Sequence, residues 1–159
     1  MTPTRGTFRS GEVRCNDWEA GLMAEEEFGD DGLRAAYLAY LDCLNDRQWQ
    51  SLGEYVAAEL SYNGRPITLG DYRAMLEADV EAIPDLQYHS ELLVAAGDVV
   101  ACRIFFRCTP RRAFLGFEPT GEQVSFAEHV FYRFEHRRIV EVWSVIDKDA
   151  IRRQVESQS

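Results

Sequence analysis

The chain has 159 residues and a formal net charge of −10, and 46% of its residues are hydrophobic. This length and composition support one sizeable core, which excludes wholesale disorder and a disulfide-stapled miniprotein. The acidic balance disfavours binding to nucleic-acid phosphates, and no apolar run approaches the ~20 residues of a membrane span. Because the first residues lack the apolar stretch of a secretory signal, we expect a cytoplasmic protein that binds neither nucleic acid nor membranes.

The beginning of the chain differs in composition from the rest. The stretch from Asp17 to Asp31 holds seven acidic residues and no basic one, and it shows no sustained periodicity. Acidic segments with few apolar anchors do not pack into a core. We therefore expect residues 1–31 to form a flexible acidic arm and residues 32–159 to form a single folded domain.

Helical spacing of apolar residues dominates the first half of this domain. Leu33 to Leu44 follow the i, i+3, i+4, i+7 pattern of one helix face, and a second short helix comes next. Thr68 caps a third helix, which Pro84 ends. Asp79 falls on the apolar stripe of this third helix, so that its carboxylate lies either at the edge of the stripe or in a cavity.

After the third helix, the spacing changes towards the alternation of strands. The alternation predicts four strands, over 86–95, 99–108, 124–134 and 139–146. Gly97-Asp98 and His136-Arg137 suit the hairpin turns between them. Helices followed by strands predict an α+β domain, with the helices packed on one face of a curved antiparallel sheet. A short helix over 149–156 closes the chain.

A two-residue turn at His136-Arg137 would collect acidic and aromatic side chains on one face of the last hairpin. Opposed residues share a face, so the positions on one side are Phe126, Glu128, Val130, Tyr132, Glu141, Trp143, Val145 and Asp147. The other face then holds His129, Phe131, Val142, Ser144 and Ile146. A β-bulge would exchange part of this assignment.

Carboxylates on an apolar face are candidates for acid–base catalysis. Glu128 and Asp147 are diagonal neighbours in this register. Two close carboxylates in an apolar setting push one pKa upward, which suits proton transfer near neutral pH. The alternatives are a solvated face on which Glu128 is an ordinary surface acid, and a role for Asp147 as the N-cap of the last helix.

Several short motifs follow one another in a characteristic order between residues 33 and 155. They are Ile83-Pro84-Asp85-Leu86, Phe114-Leu115-Gly116, Pro119-Thr120-Gly121 and Val140-Glu141-Val142-Trp143, followed by Asp147. In this combination the chain resembles the SnoaL-like polyketide cyclase family of the nuclear transport factor 2-like superfamily. The resemblance implies a cone-shaped α+β barrel, in which a curved antiparallel sheet wraps around three N-terminal helices and leaves a deep apolar pocket.

The resemblance also implies a reaction without cofactor or metal, typically an aldol ring closure, with Asp147 as the acid/base residue. A histidine that the family often has just before the tryptophan is Val142 here, so the partner of Asp147 stays open. The candidate catalytic residues are Asp147, His129, His89 and Glu128, and the candidate substrate-binding residues are Trp143, Tyr132, Phe126, Arg103 and Asp79. Trp143 can be a pocket wall or part of the core.

Two functions therefore remain open from the sequence. The first is a cyclase, isomerase or lyase that acts on a small hydrophobic carbonyl compound. The second is a non-catalytic protein of the same fold that binds a small ligand or serves as an accessory module. In either case we expect a homodimer, because the outer sheet face would carry an apolar strip of Phe131, Val142 and Ile146.

Overall fold

The computed structural model describes residues 29–158, so the predicted acidic arm at 1–31 lies almost wholly outside the described residues. The elements in chain order are α1 (Asp30–Asn45), a 3₁₀ helix (Trp49–Glu54), β1 (Val56–Tyr62), β2 (Arg65–Thr68), α2 (Leu69–Ala82), β3 (His89–Ala96), β4 (Val99–Cys108), β5 (Val124–Glu135), β6 (Arg138–Ile146) and α3 (Lys148–Ser157). The predicted α+β class is confirmed. Between residues 29 and 158, no helix has the length and apolar character needed to cross a membrane.

The two long helices form where the apolar periodicity predicts them. The buried face of α1 consists of Leu33, Tyr37, Tyr40, Leu41 and Leu44, together with Cys43. The N-terminus of α2 has a capping box, in which the Thr68 hydroxyl accepts the N–H of Asp71 and the Asp71 carboxylate accepts the N–H of Thr68. Such a cap stabilises a helix by about 1 kcal/mol. The helix ends at Ala82, shortly before Pro84.

The six strands form one curved sheet in the order β2-β1-β6-β5-β4-β3. Neighbouring strands are antiparallel, except that β1 pairs with β6 in the parallel sense. The strands β2 and β3 lie at the two edges, so the sheet is curved but does not close into a complete barrel. Helix α1 packs on the inner face of the sheet, where the ring centroids of Tyr37 and Tyr132 are 4.9 Å apart.

The hairpin between β5 and β6 begins as the sequence predicts and then changes register. His136 and Arg137 form the two-residue turn, with φ of 46° and 66°, and Glu135 lies opposite Arg138. Positive φ at both central positions gives a turn whose twist matches that of the strands. A β-bulge then shifts the pairing by one residue between Arg133 and Phe134.

This bulge overturns part of the predicted face assignment. Beyond it, Glu128 lies opposite Ile146, Val130 opposite Ser144 and Tyr132 opposite Val142. Because side chains alternate along a strand, a shift of one residue moves the whole distal part of β6 to the other face. Ser144 is therefore on the inner face, next to Glu128, while the predicted neighbours of Glu128 on β6 are on the outer face.

Helix α3 begins where β6 leaves the sheet. The backbone N–H of Asp147 donates to the carbonyl of Ala127 at 2.9 Å, just beyond the last residue pair of β5 and β6, Glu128 with Ile146. The side chain of Gln154 then accepts the N–H of Ser125 and donates to its carbonyl. Where β6 no longer pairs with β5, a side chain of α3 thus completes the backbone hydrogen bonds of Ser125, on the strand that carries Glu128.

Candidate active site

Two carboxylates, Glu128 and Asp79, interact electrostatically in this part of the fold. Glu128 on β5 shares the inner face of the sheet with the buried Phe126, Val130 and Tyr132. Burial raises the pKa of Glu128, the nearby charge of Asp79 raises it further, and a hydrogen bond from Ser144 opposes the rise. A carboxyl group in this environment holds its proton more readily than one in water, as proton transfer near neutral pH requires.

Asp79 on α2 is the second of these carboxylates. Desolvation raises its pKa to about 6, although part of its surface is exposed. Its exposure agrees with the first of the two alternatives left open by the sequence, a carboxylate at the edge of the apolar stripe. A separate surface recess, lined by Arg47, Gln48, Trp49, Gln50, Ser51 and Arg73, includes neither carboxylate.

Tyrosine hydroxyls surround the same region. The hydroxyl oxygens of Tyr40 and Tyr72 are 2.7 Å apart and share a hydrogen bond. Burial raises the pKa of Tyr72 well above its usual value, and the charges of Glu128 and Asp79 act in the same direction. These phenols consequently remain protonated at neutral pH. One of their two protons forms the bond between them, and the other can be donated to a negatively charged oxygen.

Ser144 is a member of this region that the sequence analysis assigned to the other face. Its Oγ donates to Oε1 of Glu128 at 2.5 Å. The Asn63 side chain in turn contacts the backbone of Ser144. A β-bulge in the hairpin, which the sequence analysis left open, puts Ser144 on the inner face and Trp143 on the outer face.

Trp143 lies on the outer face of the sheet, and its predicted place in an interior pocket wall is wrong. It pairs with Phe131, and the two side chains are 40% and 50% exposed. Tyr132 and Phe126, the other aromatic candidates for substrate binding, do lie on the inner face beside Glu128.

The basic candidates also lie outside. His129 is exposed on the outer face, and its Nε2 is 2.5 Å from Nη1 of Arg103. The Nε of Arg103 donates to the carboxylate of Glu91, and His89 is exposed opposite Phe105. The structure therefore does not bring His89, His129 or Arg103 together with Glu128 on the inner face.

Asp147 is exposed at the start of α3, and its predicted position on the face of Glu128 is wrong. Its carboxylate accepts the N–H of Ala150 at 3.0 Å, which makes it the N-cap of the helix. The capping alternative from the sequence analysis is confirmed. The reason is again the bulge, because it moves the end of β6 by one residue relative to β5.

Asp79→Asn should stabilise the protein at neutral pH and have little effect near pH 4. The carboxyl has a pKa of about 6 when folded and of about 3.9 when unfolded. The folded state therefore binds this proton more tightly, and the resulting stability is lost as the pH rises through 6. Because Asp79 is exposed, solvent limits the gain to about 1 kcal/mol, or roughly 2–4 °C in Tm.

Thermal unfolding of the wild type and D79N at pH 4 and pH 7.5 measures this effect. The Tm difference should appear only at the higher pH. An equal difference at both pH values would show that the raised pKa of Asp79 is not its source.

Comparison with known proteins is consistent with this architecture. The family model for SnoaL-like polyketide cyclase matches residues 34–155. A SnoaL-like polyketide cyclase from Agrobacterium tumefaciens is 47% identical, with a TM-score of 0.75 over 77% of this chain and 97% of that one. TsrD from Streptomyces laurentii is 18% identical, with a TM-score of 0.72 over 81% of this chain and 98% of that one, and shows the fold alone.

IdmH from Streptomyces antibioticus likewise shares the fold, at 21% identity and a TM-score of 0.69 over 78% of this chain and 98% of that one. The comparison with curated proteins gives no match. The family match covers well over half of the chain, and the resemblance drawn from the sequence motifs is confirmed. The chain belongs to the SnoaL-like polyketide cyclase family.

Proposed function

We propose that the protein catalyses acid–base chemistry without a cofactor on a small hydrophobic carbonyl compound, and that Glu128 is the group that transfers the proton. One observation carries this proposal. Glu128 is a desolvated carboxyl group on the inner face, with a second carboxyl group, Asp79, close enough to raise its pKa further. The reaction class is an aldol-type ring closure or a related isomerase or lyase step, as the family membership suggests.

The proposed step begins with an ionised Glu128. The carboxylate takes a proton from the carbon next to a carbonyl, so the C–H bond breaks and the electron pair moves onto the carbonyl oxygen as an enolate. In a ring closure, the enolate carbon forms a C–C bond with a second carbonyl of the same molecule. The new alkoxide oxygen then receives the proton from Glu128, which restores the carboxylate.

The surroundings of Glu128 support this step. The hydroxyl groups of Tyr40 and Tyr72 share one of their two protons in a mutual hydrogen bond, and the remaining proton can be donated to the enolate oxygen. Phe126 and Val130 flank Glu128 on the same face of β5 and are buried in the core, so the carboxyl group has apolar neighbours on both sides. A raised pKa also brings the proton affinity of the base closer to that of the carbon acid, which favours transfer.

A second candidate function is the binding of a hydrophobic ligand without turnover. One observation favours it. The three histidines of the chain, His89, His129 and His136, are all exposed, and so none supplies an imidazole beside Glu128 on the inner face. Under this candidate, Glu128 and the tyrosine hydroxyls would serve to hold a polar group of the ligand.

Deuterium exchange separates the two candidates. The probe is 2-tetralone, a small hydrophobic ketone whose α-protons exchange slowly in neutral D₂O and are followed by NMR. The catalytic proposal predicts that the wild-type protein accelerates this exchange in proportion to its concentration. Chemical-shift changes in the protein without accelerated exchange would instead support the binding candidate.

We also propose that the protein is a homodimer that pairs through the outer face of the sheet. The pairing partners Val94, Ala101, Phe131 and Trp143 form one row across β3 to β6 on this face. Leu92 and Val145 lie at the two ends of the next row, with Arg103 and His129 between them, and are 61% and 70% exposed. Val145 extends the apolar row at Trp143, and a monomer rarely leaves such an apolar strip in water. The strip consists of Phe131, Trp143 and Val145, whereas the predicted members Val142 and Ile146 are on the inner face.

Light scattering at micromolar concentration should give twice the mass of the chain. Trp143→Glu should reduce this to the mass of one chain, because it buries an unpaired charge in the interface. The exposed Gln87, which lies before β3, offers a control with the same final residue, and Q87E should remain a dimer. A wild-type mass equal to one chain would contradict the proposal.

A further inference from the structure

We propose that Asn63 is a positioning residue for Glu128 and acts on it through Ser144. This inference rests on the proposed function, since it assigns a role in holding the proton-transfer group. The sequence marks this residue only as part of the Asn63-Gly64 turn signal, with no link to a site.

Asn63 lies at the turn between β1 and β2, and its side chain crosses to β6. Its Oδ1 accepts the N–H of Ser144 at 2.8 Å, and its Nδ2 donates to the carbonyl of Ser144 at 3.2 Å. The backbone N–H of Asn63 donates to the carbonyl of Val142 at 2.8 Å. The last backbone pair of β1 and β6 is Tyr62 with Val142. Beyond it, where β1 has turned away, the side-chain amide of Asn63 supplies the next two hydrogen bonds to β6.

The second link runs from Ser144 to Glu128. With both its N–H and its carbonyl held, the Ser144 residue has a fixed backbone, and its Cβ points to the inner face. From there Oγ donates to Oε1 of Glu128 at 2.5 Å. A serine hydroxyl has one proton to donate, so this bond orients one particular carboxylate oxygen. Asn63 thus determines where Ser144 presents its donor.

The turn alone does not explain the asparagine side chain. Asn63 and Gly64 have φ of 48° and 78°, and Asn-Gly is a preferred pair for this type of hairpin. The turn requires only the backbone conformation, which glycine adopts at least as readily. The two hydrogen bonds from the Asn63 side chain to Ser144, 81 positions away, are not needed for the turn. Asn63→Gly therefore removes the positioning contacts and leaves the turn intact.

The test is the pKa of Glu128, measured by ¹³C NMR of its carboxyl carbon in the whole protein without any ligand. The hydrogen bond from Ser144 stabilises the ionised form and lowers the pKa. N63G should therefore raise the Glu128 pKa by roughly half a pH unit, and the Ser144 amide should lose protection from hydrogen exchange. Asp79 also acts on the pKa of Glu128, and the charge of Glu128 acts in turn on the pKa of Tyr62, Tyr72, Tyr88 and Tyr132, so these groups must stay in place.

Two further variants make the result specific. Ser144→Ala should raise the Glu128 pKa at least as much as N63G, and adding N63G to it should produce no further rise, because the two residues act in one chain. The exposed Arg65 follows the same turn, and R65Q should leave the Glu128 pKa unchanged.

An unchanged Glu128 pKa in N63G, with only a lower Tm, would overturn the proposal and leave Asn63 as a turn residue. Additive effects of N63G and S144A would overturn it as well. These outcomes do not depend on turnover. If the pKa rises in N63G while E128Q keeps full activity, the positioning of Glu128 stands and the proposed function fails.

Discussion

Glu128→Gln should lower the rate of proton exchange by roughly 10²–10⁴-fold, the usual contribution of a general acid or base. Glutamine has the same shape, and its carbonyl oxygen can still accept the hydrogen bond from Ser144. Burial disfavours the charged form of Glu128, so replacing it with a neutral side chain should not lower the Tm. A loss of rate with an unchanged Tm would separate a catalytic role from a structural one.

Glu141 provides the matched control for this variant. It is a glutamate on the neighbouring strand β6, where its carboxylate accepts a hydrogen bond from Arg133 at 3.1 Å. E141Q makes the same chemical change outside the proposed site and should retain the wild-type exchange rate. If E128Q and E141Q lose activity equally, the loss reflects a general effect on the sheet, and Glu128 has no special part in the reaction.

Leu41→Ala should destabilise the domain by about 2–5 kcal/mol, because it leaves a cavity where α1 packs against the sheet. Leu41 is 3% exposed and lies on the same helix face as Tyr37 and Tyr40. The expected fall in Tm is at least about 4 °C for a domain of this size. Differential scanning calorimetry measures it directly.

Leu38 is the control on the same helix. It is 38% exposed, and Leu38→Ala removes the same atoms in the same secondary structure. Its effect should stay within about 0.5 kcal/mol, as for most surface substitutions. Equal losses for L41A and L38A would contradict the assignment of the buried face of α1 and, with it, the position of the tyrosine hydroxyls.

The periodicity of the sequence predicted much of the architecture because each element is locally consistent. Apolar spacing identified the two long helices, and alternation identified β4 with the same bounds that the structure shows, Val99–Cys108. The turn at His136-Arg137 was also predicted. The short edge strand β2 was missed, since four residues with a proline give too little alternation to detect.

The site could be predicted only in part, and a single residue of register accounts for most of the difference. Glu128, Tyr132 and Phe126 are on β5, on the near side of the turn, and their common face follows from alternation alone. The residues on β6 depend on the pairing across the bulge between Arg133 and Phe134. No turn residue marks that bulge, so the sequence placed Trp143 inside and Ser144 outside.

Asp147 illustrates a different limit. The resemblance to the family assigned it the acid/base role from its place after the tryptophan, and its place before a helix gave the capping alternative. The structure shows the cap, with the carboxylate bonded to the N–H of Ala150. Asp79 was identified from its place on an apolar stripe, but its electrostatic effect on Glu128 joins residues that are far apart in the chain, which periodicity does not contain.

A direct comparison of E128Q with D147N tests the central claim, that the proton-transfer group is the interior carboxylate and not the one at the end of β6. Asparagine caps a helix as well as aspartate does, so D147N should keep the fold. Both variants are measured with 2-tetralone in D₂O at pH 7.5, beside the wild type. Our account predicts that E128Q loses roughly 10²–10⁴-fold in exchange rate and that D147N retains the wild-type rate. A wild-type rate in E128Q together with a loss in D147N would contradict it.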